Sequence, residues 1–204
     1  MTGPSTDLYL TAYHEAGHAV AALVCGLQLT SITIAPNPAN PKVRGNTGIS
    51  FDRDKPRQYH LSVLAGPWAE ARIRWPHHSL GSLDDKLSGG RSFRNYLFEA
   101  LKEVDRDGDA VEYFNMESGT LPDGSSFTPP DREIAQSVGR STTEVVADRE
   151  RRWSQHLEKR CWPNIIPTVA GMLLGGSTDV NAIKQIVEWL WGAAGNTAPL
   201  DPDL

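Results

Sequence analysis

Cysteine is scarce. Cys25 and Cys161 are the only two in 204 residues, and they lack zinc-finger spacing. That excludes a disulfide framework and leaves two buried, inert thiols as the expectation, in keeping with a reducing cytoplasm. Long apolar runs are also missing. The most apolar late stretch, residues 165–174, is broken by Pro167 and Gly171 and is too short to span a bilayer. Residues 1–7 are short and polar, with no basic segment ahead of an apolar one, so no signal peptide is expected. Basic charge is not in excess: 20 Lys and Arg stand against 25 Asp and Glu, a net charge of −5. No global field for nucleic acid results, and neither nucleic acid nor membrane is an expected partner. No internal repeat is visible. The remaining composition, 39% hydrophobic and 22% charged, is that of an ordinary globular chain with enough length to bury a core.

Hydrophobic periodicity divides what is there. Thr6 or Asp7 can cap a helix reaching about Gly26, with Ala12, Ala16, Ala19, Val20, Leu23, Val24 and Leu27 on one buried stripe. Residues 29–35 alternate and are rich in β-branched types, which predicts a strand. Residues 36–41 hold three prolines and two asparagines and predict a loop before a short second strand at 48–51. Residues 58–75 predict a second helix, kinked or divided at Gly66-Pro67. A turn at 77–85 and helices at 91–104 and 109–116 follow. Residues 117–130 are rich in Gly, Ser and Pro and form the longest predicted loop. Beyond it stand a charged helix over 131–160 and two more at 163–174 and 179–191. Trp153, Trp162, Trp189 and Trp191 are expected to pack these last helices together, with any exposed remainder a possible oligomer surface. The predicted fold is α+β and mainly helical: a motif helix, a small antiparallel sheet and a C-terminal helical bundle. Its organisation is a core at 1–116, a loop at 117–131, a helical subdomain at 132–196 and a mobile polar tail at 197–204.

One motif carries chemistry. Residues 14–18 read His-Glu-Ala-Gly-His. On a helix, positions i and i+4 share a face, so His14 and His18 can bind one zinc ion together. Glu15 projects beside them, where it can take a proton from a water that the metal activates against a carbonyl. The bland alternative is two histidines on a wet helix face, but the motif falls inside a strongly periodic helix. A catalytic zinc needs a third protein ligand. His60, His77, His78, His156, Glu70, Asp84 and Asp85 are all available, and spacing alone does not choose among them.

Residues 12–20, Ala-Tyr-His-Glu-Ala-Gly-His-Ala-Val, resemble the signature of the FtsH-type zinc protease family. The likeness continues in Ile32-Thr33-Ile34-Ala35-Pro36 and in residues 45–51, similar to that family's two strands. It extends to Leu64-Ala65-Gly66-Pro67-Trp68-Ala69-Glu70, similar to its Gly-Gly-Arg-x-Ala-Glu helix, with Pro67 where the family has Arg. Gly81-Ser82-Leu83-Asp84-Asp85 is similar to its Gly-Ala-x-Asn-Asp segment, and residues 169–174 and 179–186 are weakly like its last helices. The resemblance implies that Asp85 is the third zinc ligand, with Asp84 next, and that Glu70 is a supporting carboxylate. It covers residues 10–85 and fades beyond.

The family's ATPase module has no counterpart, since no Gly-x-x-x-x-Gly-Lys-Thr occurs in the sequence. The implied activity is therefore a zinc-dependent endopeptidase for peptides or unfolded, flexible polypeptide, ATP-independent on its own unless a separate partner delivers substrate. A catalytically silent zinc-fold adaptor is the alternative, and a helical protein with a fortuitous motif the third. The stretch Asp105-Arg106-Asp107-Gly108-Asp109 lacks EF-hand spacing and reads as a solvated turn. Asp109 ranks below Asp85 as a ligand because no family segment matches it. His77 or His78 could donate to the reaction's oxyanion, though a plain loop role is the simpler reading.

Overall fold

The computed structural model describes residues 6–37, 40–102 and 107–203. Among them are eight α-helices and a two-stranded antiparallel sheet. The order is α1 (Thr6–Val24), β1 (Gln28–Asn37), β2 (Asn40–Ser50), α2 (Pro56–Arg74), α3 (Phe93–Lys102) and α4 (Asp107–Ser118). Then come α5 (Pro130–Val138), α6 (Thr142–His156), a π-helical turn (Leu157–Cys161), α7 (Ile165–Leu174) and α8 (Val180–Ala193). No helix among the described residues is long and apolar enough to cross a membrane.

α1 is the centre of the molecule. Periodicity predicts a single buried stripe, but the helix is buried nearly all round from Thr11 to Val24. The cause lies in its small residues. Ala12, Ala16, Gly17, Ala19, Ala21 and Ala22 let neighbours approach from several sides, and α2, α7, α8 and both strands pack on it. The closest approach is at Gly17, where a Cβ would collide with the Ala65 carbonyl oxygen and stand 2.9 Å from the Ala69 Cβ. Two helix backbones touch there. α1 is followed by Gly26, whose φ of 73° lets the chain turn into β1.

The sheet is longer than residue type suggests. β1 runs through Pro36 because register shifts between Thr33 and Pro36 and again at Asn37 accommodate a residue that cannot donate to the ladder. The predicted loop at 36–41 falls partly outside the described residues. Gly66-Pro67 does not divide α2. A proline inside a helix costs about 3 kcal/mol, and α2 offsets this by burying side chains along nearly its whole length, from Arg57 to Arg72.

The charged segment predicted as one helix is two. Gly139, left-handed with φ 68°, caps α5, and Ser141 opens α6 through a reciprocal capping box with Glu144. One hydrophobic cluster takes in Ala16, Trp68, Leu97, Trp153, Val169 and Trp191, so the C-terminal helices share the core of the first half. Trp189 departs from the expected packing and is 65% exposed. The tail is also not loose as far as Asp203. The Leu200 amide donates to the Val24 carbonyl at 2.7 Å, and Leu200 is buried. The indoles of Trp191 and Trp153 donate to the carbonyls of Ala198 and Pro202.

Two glycines give a matched test of this packing. Gly171 lies on the exposed side of α7, where an added Cβ would meet nothing within 4 Å, so Gly171→Ala should be neutral or stabilise by up to about 1 kcal/mol through helix propensity. Gly17→Ala gains the same propensity but must force α1 and α2 apart. We expect a net loss of about 1–3 kcal/mol, measured by chemical denaturation, and an unchanged midpoint in Gly17→Ala would refute backbone contact at this crossing.

Candidate metal centre

His14 and His18 lie one turn apart on the buried surface of α1, 1% and 6% exposed. Each ring is oriented from behind by α2. Nδ1 of His14 lies 3.0 Å from Oε2 of Glu70, and Nδ1 of His18 lies 2.8 Å from the Ser62 carbonyl oxygen. A carbonyl oxygen only accepts, so His18 must donate through Nδ1, and the Glu70 carboxylate calls for the same tautomer in His14. Glu70 is fully buried and also pairs with Arg74. Gly66, between Ser62 and Glu70 on this face, makes room for the other ring: a Cβ there would collide with the imidazole of His18.

With both Nδ1 atoms protonated, both neutral rings point Nε2 lone pairs forward. The two Nε2 atoms are 3.0 Å apart. The third group to meet them is Asp109 from α4, with Oδ2 2.7 Å from His14 Nε2 and 3.4 Å from His18 Nε2. Three electron-pair donors thus converge where only a cation or shared protons can reconcile them. A tetrahedral zinc with ligands at about 2.0–2.1 Å separates its donor atoms by about 3.3 Å, close to the triangle found here. His14, His18 and Asp109 are also the one group of three such side chains among the described residues able to hold a metal together. The donor set fits zinc.

The charges agree with that arrangement. Burial works against the imidazolium of His18, but Asp109, its hydrogen bond and Glu15 raise the pKa to about 9. Burial also works against the Asp109 carboxylate, yet the two histidines hold it well below the usual carboxylate range. A metal in the triangle would compete with a proton for the Nε2 lone pair of His18.

Glu15 stands beside the triangle. It is 4% exposed, and the Thr47 hydroxyl donates to its Oε2 at 2.6 Å. Gly45 on β2 has φ 78°, and a Cβ there would collide with the Glu15 carboxylate. Burial pushes the Glu15 carboxyl above its ordinary pKa, while His14, His18 and Thr47 pull the other way. A retained carboxylate with raised proton affinity suits a general base. The group opens into a cleft of about 240 Å³ between β2, α2 and α4.

The third ligand expected from the sequence is not here. Asp85 turns its Oδ2 to the amides of Gly81 and Ser82, at 2.7 and 3.0 Å, and so closes its own turn. Asp84 is exposed and faces Arg94 and Arg151. Asp109 takes the position instead, 95 residues from His14. Part of the solvated turn expected at 105–109 lies outside the described residues, but Asp109 itself belongs to α4. Farther along α4, Tyr113 donates to Glu150 at 2.7 Å and Arg149 binds Glu117, which ties the ligand-bearing helix to α6. The other histidines are elsewhere. His60 is buried against Tyr113 and Trp153, His77 and His78 are exposed, and none of the three lines the cleft; nor does half-buried His156. Thr47 and Gly45 carry no sequence signal of their own, because only the fold brings them to Glu15.

Elemental analysis decides the ligand set. Wild type should carry one zinc per chain. Asp109→Ala should lose it, Asp85→Ala should keep it, and Glu70→Gln should weaken affinity about 10–100-fold. Full occupancy in Asp109→Ala would refute the assignment. No protein-family model, curated protein or solved structure matches the chain, so its centre stands on the geometry of its own residues.

Proposed function

We propose that this protein is a zinc-dependent endopeptidase acting on peptides and on unfolded or flexible segments of polypeptide. The observation that carries the reading is Glu15. A buried carboxylate sits beside three convergent metal donors and is fixed by Thr47 in a cleft open to solvent. The FtsH-type signature around residues 12–20 supports the same chemistry. His14, His18 and Asp109 hold the metal, with Glu70 and Ser62 orienting the two rings. Zinc bound there would supply Lewis acidity towards a peptide carbonyl and towards water. Glu15 accepts the proton of the attacking water and passes it to the departing amine. Asp85 has no part in this scheme.

The substrate class follows from the walls. β2 pairs only with β1 among the described residues, and Asn46, Thr47 and Ile49 of β2 line the cleft. An extended segment can add to the free side of β2 through main-chain hydrogen bonds, which requires substrate that is already unfolded. The sequence has no nucleotide-binding loop to drive unfolding.

Incubation with a fluorescently labelled unfolded protein tests the proposal. Wild type with zinc should cleave it, and a chelator should stop cleavage. Glu15→Gln should retain stoichiometric zinc while losing about 10²–10⁴-fold in rate, the usual contribution of a general base. Full activity in Glu15→Gln would sink the mechanism. Zinc binding without cleavage of any unfolded substrate would favour the adaptor alternative.

A further inference from the structure

Among the described residues, one charged group lining the cleft is not used by the chemistry above. Of its acidic lining residues, Asp109 faces the histidines and Glu15 is the base. The third, Glu112, lies three residues beyond Asp109 on α4 and so on the same face of that helix. Among the described residues, no lysine or arginine lines the cleft and Glu112 makes no ion pair. Its one hydrogen bond comes from Tyr59, whose hydroxyl donates to Oε1 at 2.6 Å. Tyr59 is itself 8% exposed and packed edge-on against Phe51, so the phenol holds the carboxylate in a fixed position.

A half-buried carboxylate is ordinarily matched by a cation, because removing it from water is costly. Three carboxylates of the C-terminal half keep that rule. Asp131 meets Arg57 and Arg149, Glu150 meets Arg94, and Glu158 meets Arg72. Glu112, like Glu15 and Asp85, has no cationic partner among the described residues, and it faces the space where substrate must lie. The apolar neighbours Ile49 and Val63 lower the local dielectric and make a charge-assisted hydrogen bond there stronger than one at the surface. Oε1 is engaged by Tyr59, which leaves Oε2 to receive an incoming N–H donor.

We propose that Glu112 is a specificity-determining residue that selects segments carrying a lysine or arginine side chain close to the scissile bond. The inference rests on the peptidase reading and names its substrate more narrowly. Glu112 binds the ammonium or guanidinium of the substrate and takes no part in proton transfer. Tyr59 is its positioning residue.

Two measurements separate this proposal from the reading beneath it. In the first, zinc-loaded wild type digests a mixed library of unstructured peptides, and mass spectrometry maps the cuts. Lysine and arginine should be enriched near cleaved bonds on the order of tenfold over acidic residues, the low end for a hydrogen bond to a charged group. Glu112→Gln, which keeps an acceptor for Tyr59, should flatten the preference. Glu112→Arg should turn it towards Asp and Glu. Cuts without basic enrichment, or enrichment unchanged in Glu112→Gln, would overturn the proposal. The second measurement needs no turnover. In the zinc-loaded Glu15→Gln protein, fluorescence anisotropy compares a labelled lysine-containing peptide with its glutamine counterpart. About tenfold tighter binding of the lysine peptide, lost on adding Glu112→Gln, upholds the selectivity even if wild type cleaves nothing and the peptidase reading falls. Equal binding of the two peptides overturns it whatever the cleavage result.

Discussion

The contact between the backbones of α1 and α2 at Gly17 and Ala65 governs the rest. It brings the helices close enough for short side chains on one to reach groups on the other. Ser62, Gly66 and Glu70 follow at intervals of four along α2 and form a single row. The first receives the Nδ1 proton of His18, the second vacates space for its ring, and the third takes the Nδ1 proton of His14. Ala65 and Ala69 form the adjacent row against Gly17. A wider crossing would leave both imidazoles free to rotate and to change tautomer. The close one fixes two lone pairs in a common direction, the preorganisation that a metal site would require.

α4 completes the centre from the other side, and its attachment is of a different kind. Where α2 is held by packing of small apolar residues, α4 is held by buried charge. Arg149 binds Asp131 and Glu117, Arg57 also binds Asp131, and Tyr113 with Arg94 binds Glu150. Such a network adds little to net stability, because desolvating the ions nearly offsets their attraction. Its geometric demands are strict, however, and they set the position of the helix that presents Asp109 and Glu112. The apolar contact builds the histidine half of the site, and the ionic contact registers the acidic half against it.

These two kinds of contact explain which parts of the site are legible in the sequence. His14, Glu15 and His18 share one helical turn, so local periodicity suffices to place them on one face. Glu70 follows from a helix that packs on the first through small residues visible as Ala65, Gly66 and Ala69. Asp109 depends on an ionic network whose members are scattered from Arg57 to Glu150, and no local pattern encodes it. The family likeness points to Asp85, but the loop holding that residue satisfies its carboxylate with two amides of its own turn. The fold class and most helices follow from periodicity. The division between α5 and α6 is written in Gly139, Ser141 and Glu144, yet lies hidden beneath a continuous run of charge. The docked tail gives no local signal, because its anchors are one leucine, Leu200, and two carbonyls in an otherwise polar stretch.

The order of synthesis gives the docked tail another significance. α1 is made before every element that covers it and is apolar or small on nearly every side, yet its last turn is completed by Leu200, whose amide reaches Val24. Its histidine-bearing side waits for Asp109 and its far side for α7 and α8. No early subset of the chain can cover it. Its covering is therefore complete only after most of the polypeptide has emerged, and His14 and His18 meet Asp109 only once α4 has been made. A nascent chain that stops short of α4 holds two oriented histidines without their carboxylate.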